Sequence, residues 1–233
     1  PTPMNEDNKN SPDIYREAVK SRFEPTFLGK VMLFFGFAVL ASAAGAFVTY
    51  NYFLLYFFAS PWLMWLFFIV ELAIIFTSRM WSQKIPLNRI MFALFAFITG
   101  VTIAPLLAVI AATPGGVAVI TKALLATGFM FSATAIFGWV TKIDLSGLRG
   151  FLFITLIGMI IVGILGFFIP WSNQMEMVYS GIGVLLFSAF TAYDLQKIKH
   201  YPEDRYIDAA LNLYLDIFNL FLYILRFINS NRN

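Results

Sequence analysis

The chain has 233 residues, of which 60% are hydrophobic, 12% are charged and 27 are Phe, and it carries a net charge of +3 at pH 7. A soluble domain of this length has too little interior to hide so much apolar surface, so the composition points to an all-α integral membrane protein. Cysteine is absent and His200 is the lone histidine, which excludes a disulfide framework, a thiolate metal centre and an H-E-x-x-H hydrolase.

Pro1-Thr2-Pro3 ahead of Met4 reads as an appended stretch, and residues 1–27 as a polar tail of mixed charge. Seven apolar runs of about 20 residues follow, the length that crosses a ~30 Å hydrocarbon layer at 1.5 Å per residue. Seven transmembrane helices are therefore predicted at 28–50, 61–79, 87–111, 117–139, 150–169, 176–198 and 207–228. They form one domain, 28–228, with 229–233 as a C-terminal tail. The first run is too long for a signal-peptide core and lacks a small-residue cleavage pattern, so it reads as a retained helix. The breaks fall at Ser60-Pro61, Lys84 to Pro86, Pro114-Gly115-Gly116, Asp144 to Gly147 and Pro170 to Asn173, all turn-forming sequences. Loops this short make consecutive helices antiparallel neighbours.

Basic residues set the expected orientation. Of the sixteen Lys and Arg, thirteen lie in the N-terminal tail and the loops that share its side, leaving Lys122, Arg226 and Arg232 toward the other. The positive-inside rule then places the N-terminus in the cytoplasm and the C-terminus outside. The basic balance is thus topology information, and no nucleic-acid partner is expected.

The last two runs each contain an aspartate, Asp194 and Asp216. A carboxylate in hydrocarbon is costly, so it faces a bundle interior and serves a proton or ion pathway. In the expected orientation Asp194 lies about 8 Å from the cytoplasmic end of its helix and Asp216 about 15 Å into the next, so the two can meet. Arg79, ending the second run on that side, is the natural cationic partner. Asp208, Asn212, Asp216, Asn219, Tyr223 and Arg226 recur every three or four residues, one stripe along the seventh helix. Such a stripe cannot face lipid, which makes this helix central, with its stripe against the second and sixth. Interhelical hydrogen bonds of about 0.6–2 kcal/mol explain Asn212 and Asn219; a carboxylate is too expensive for that purpose where Asn would serve. Glu71 in the second run reads equally as a permeation ligand or as a neutral acid bonded to a neighbouring helix.

Two carboxylates within hydrogen-bonding distance share a proton, because both cannot ionise easily. Protonated, the pair is a clasp between helices; deprotonated, it repels itself and offers oxygens to a hard cation such as calcium. Two carboxylates fall well short of the six to eight oxygens of a tight calcium site, so Asp194 and Asp216 form at most a weak metal site, which suits conduction. No cofactor is expected beyond calcium as a permeant or weakly bound ion.

The segment Phe190-Thr191-Ala192-Tyr193-Asp194-Leu195-Gln196-Lys197-Ile198-Lys199, then Leu213-Tyr214-Leu215-Asp216-Ile217-Phe218-Asn219-Leu220-Phe221 and Leu225-Arg226, resembles the C-terminal hallmark of the transmembrane Bax inhibitor motif family, most closely its bacterial YccA- and YetJ-type branch. Gly100 to Pro105, Ser132 to Phe137 and Thr141 to Gly147 agree, and the match covers residues 28 to 228. Position 104 is Ala where the family motif usually has Gly or Cys. The resemblance implies a seven-helix fold with the last helix wrapped by the other six, and a pH-sensitive calcium leak through a bacterial inner membrane. It implies that Asp194 and Asp216 are a di-aspartyl pH sensor, that Arg79 bonds to it in one state, and that Glu71 lies on the ion path with the aspartates.

Three readings of function follow. A proton-gated calcium leak channel, with the bilayer, calcium and protons as its partners, is the first. A non-conducting regulator is the second, acting on a membrane protein partner such as a membrane-bound ATP-dependent protease, or in cell-death and stress responses. The third, an intramembrane aspartyl protease, expects a G-x-G-D turn at the second aspartate, where the chain has Leu213-Tyr214-Leu215-Asp216. The chain is accordingly read as a channel and not an enzyme.

Overall fold

The computed structural model describes residues 26–231; the expectations for 1–25 and for the end of the C-terminal tail lie outside the described residues. Among those described, every regular element is a helix. The long elements are α1 (Phe27–Val48), α5 (Leu87–Ala111), α6 (Gly116–Val140), α7 (Leu148–Phe168), α8 (Asn173–Ile198) and α9 (Tyr206–Ser230). Short helices α2 (Leu54–Ala59), α3 (Trp62–Phe76) and α4 (Ser78–Trp81) lie between α1 and α5. Among the described residues six helices are long and apolar enough to cross a membrane, counting the path from Phe27 to Ala59 as one.

Two expected boundaries moved, each for a local reason. The first run does not stop at 50, because a π-helical turn, Thr49–Phe53, carries the chain on into α2. Asn51 donates its side-chain amide to the Phe47 carbonyl at 2.8 Å, a local competitor for the backbone ladder in a turn that already holds an extra residue. The second run is broken at Thr77, whose hydroxyl donates back to Ala73 at 2.7 Å, leaving α3 with 15 residues and α4 with four.

α1 and α5 pack through small residues. A Cβ at Gly100 would collide with the Ser42 carbonyl and one at Gly45 with the Phe97 carbonyl, so hydrogen at these positions is what lets the two backbones touch. Ser42 crosses this seam, donating to the Ala96 carbonyl at 2.9 Å and meeting the Tyr214 hydroxyl at 2.7 Å. Gly115, at φ 71°, makes the turn from α5 to α6, a conformation that favours glycine.

α9 is the central element. Ile207, Ala210, Leu213 and Leu220 are fully buried, and the helix packs chiefly on α8, then α6, α1 and α5. The resemblance implied a helix wrapped by all the others; instead α3 packs mainly on α5 and α7 mainly on α8. These two stand at the periphery, and the space between them leads to α9.

Candidate functional site

α8 and α9 form a hairpin joined by residues 199–205, with Asp194 one turn before its tip and Asp216 almost three turns after it. Both aspartates line one cavity of about 1340 Å³, floored by α8 and α9 and walled by α3 and α7. Asp194 is 8% exposed and Asp216 4%, near enough for one charge to act on the other. Asp216 Oδ2 is buried with no hydrogen-bond partner among the described residues. A buried carboxylate oxygen in that position calls for a proton or a cation.

The polar stripe of α9 runs against α8 and its following loop. Asn212 donates to the Tyr201 hydroxyl at 3.2 Å, and the Tyr223 and Tyr179 hydroxyls lie 3.4 Å apart. Arg226 forks onto Glu176, Nε to Oε2 at 2.6 Å and Nη2 to Oε1 at 3.1 Å. Asn219 donates to the Leu215 carbonyl at 2.8 Å within its own helix. Asn212, Asn219 and Tyr223 line the cavity with Asp216. Its far wall includes Phe68, Leu72 and Ile75 of α3, so the stripe faces the second run across open space and does not pack on it.

Glu71 is separated from this arrangement. It accepts a hydrogen bond from the Thr102 hydroxyl of α5 at 2.8 Å and is not among the residues lining the aspartates' cavity. Tyr214 points from α9 toward Ser42 and not toward Asp194. Arg79, on α4, is exposed and forms an ion pair with neither aspartate. The cation the hairpin does bring to Asp194 is Lys197, one turn along α8 and lining the same cavity. Its ammonium sits 5.7 Å from the Tyr193 ring centre and 5.2 Å from that of Tyr201. Its three-residue spacing from Asp194 was the signal available in the sequence. Among the described residues no group of three or more His, Cys, Asp or Glu gathers at one point.

The tip of α8 is clamped. Gln196 donates to the Ile143 carbonyl and accepts from the Leu145 N–H, both at 2.8 Å, while Lys199 donates to the Trp139 carbonyl. Within the clamped loop the Ser146 N–H donates to Asp144 at 2.9 Å and holds that exposed carboxyl below its ordinary range. Burial, then the charges of Asp194 and Asp208, push the Tyr201 phenol up. Tyr201 therefore stays protonated against Asn212 and Lys197.

A family described as "Inhibitor of apoptosis-promoting Bax1" matches residues 24–233. The chain belongs to this Bax inhibitor-1 family. It is a multi-pass integral membrane protein. An uncharacterised Helicobacter pylori protein is 34% identical over 224 residues, 95% of each chain. Inner membrane protein YbhL of Escherichia coli is 33% identical over 177 residues, 70% of this chain and 73% of the relative. Bax inhibitor 1 of Schizosaccharomyces pombe is 31% identical over 174 residues, 74% and 64% of the two chains.

Proposed function

We propose that this Bax inhibitor-1 family member is a pH-sensitive calcium leak channel, gated by the protonation of Asp194 and Asp216, and not an enzyme. The observation that carries this reading is the convergence of two carboxylates on one cavity inside apolar helices, one of them with a buried unpartnered oxygen. Protonated, the pair tethers α9 to α8 and the path is closed. Deprotonated, it repels itself, and calcium passes the two carboxylates assisted by the amide oxygens of Asn212 and Asn219. Lys197 beside Asp194 limits how strongly a cation is held there, which favours conduction over storage. Glu71, held against α5 by Thr102, serves as a separate entry ligand, and Arg79 joins the aspartates only when α4 swings inward.

Seven crossings with the N-terminus in the cytoplasm follow if α3 and α4 together make the second. Trp62 to Trp81 reaches about 30 Å as helix, and the positive-inside count supports that orientation. The name of the E. coli relative, inner membrane protein, supports the same membrane here. The name of the yeast relative, Bax inhibitor 1, favours a second reading, a non-conducting regulator of a partner.

The test is calcium entry into liposomes between pH 5 and 8 for the native chain, Asp194→Asn and Asp216→Asn. We expect flux that rises with pH in the native protein and loses that dependence in both variants. Absence of flux from folded native protein at every pH would overturn the channel and leave the regulator.

A further inference from the structure

The crevice between α3 and α7 has its cations at one end, with the Asp194 and Asp216 carboxylates on its floor. α7 starts where α8 finishes, so Arg149 and Lys197 stand at the same mouth, and both line the crevice. Arg149 is exposed, and neither cation has a carboxylate within ion-pair distance among the described residues. From that mouth the walls are apolar: Phe76 and Phe68 on α3, Phe153, Ile160 and Ile164 on α7. Arg149 to Ile164 spans about 22 Å of helix, more than one leaflet of a ~30 Å hydrocarbon layer. A volume of about 1340 Å³ exceeds the roughly 300–1,000 Å³ of ordinary small-molecule pockets.

We propose that this crevice binds an anionic phospholipid, its phosphate held by Arg149 and Lys197 and an acyl chain laid along the α3 and α7 walls. Basic pockets between spanning helices recognise acidic headgroups in this way, and positive charge gathered at one end matches an amphiphile with a single anionic head. Lys197 is already restrained above Tyr193 and Tyr201, so little side-chain freedom is lost on meeting a phosphate. The inference holds whether or not the protein conducts ions.

The full chain in detergent, offered equal phosphatidylglycerol and phosphatidylcholine, tests it, with retained lipid counted by native mass spectrometry. The expected result is one retained phosphatidylglycerol, preferred roughly 30-fold, as two basic residues at a membrane surface supply. Arg149→Gln with Lys197→Gln should abolish the preference. Gly150→Trp should abolish retention of both lipids, since a side chain added there enters open space at the mouth. Lys142→Gln, exposed but outside the crevice, should change nothing. Equal retention of the two lipids by the native chain would overturn the site, as would a loss in Lys142→Gln matching that of the crevice pair. Should the double variant fold poorly, Arg149→Gln alone decides: a preference reduced about five-fold upholds the site, and an unchanged one rejects it.

Discussion

Asp216 is a costly residue for the fold. Its Oδ2 is buried without a partner, and removing a charge from water without compensation costs several kcal/mol in general. Asn is nearly the same shape and carries no charge. Asp216→Asn should therefore leave the thermal unfolding temperature unchanged, and raise it where the carboxylate is ionised; a clear fall would mean that the carboxylate holds the fold together. Asp194, Asp216, Asn212, Asn219 and Tyr223 were legible in the sequence because a polar side chain in a spanning segment has few places to go. Lys197 and Gln196 were not, since at a helix end a basic or amide residue reads equally well as solvated. Only the packing of α8 shows one above two tyrosines and the other bonded to the loop from Ile143 to Leu145.

At the scale of elements, close backbone approach at glycines joins several of the helices. The α1 and α5 seam closes at Gly100 and Gly45, and α6 meets α8 at Gly138, where a Cβ would strike the Ala192 carbonyl. Gly100→Ala should destabilise the protein by about 1–3 kcal/mol through overpacking against rigid backbone. Gly128→Ala, in open space on α6, should be neutral or slightly stabilising, because Ala is the better helix former by about 1 kcal/mol. Thermal unfolding of the two variants side by side checks this, and equal effects would remove the seam as the cause. The apolar runs were readable from length, but their ends were not. Thr77 breaks one helix and Asn51 accompanies the extension of another through bonds to their own backbone, which average hydropathy does not register.

For the whole molecule, orientation is the property most open to a direct check. The chain contains no cysteine, so single reporters can be introduced on a clean background. Lys142→Cys, in the α6–α7 loop, should react with a membrane-impermeant thiol reagent only from the cytoplasmic side, and Ser172→Cys, between α7 and α8, only from the outside. Labelling of both from the same side would show that α7 does not cross. Membrane class, the approximate number of apolar runs, the polar stripe and the paired aspartates were all determined by the sequence itself. Each follows from the cost of placing a polar group in hydrocarbon, a property of the residue and its neighbours along the chain. The tertiary structure alone decided that Glu71 bonds to Thr102 away from the aspartates, that α3 and α7 stand apart, and that a crevice with two cations at its mouth lies between them. Those depend on which helices touch, and contact between apolar helices in a membrane is set by the fit of small residues and not by hydropathy.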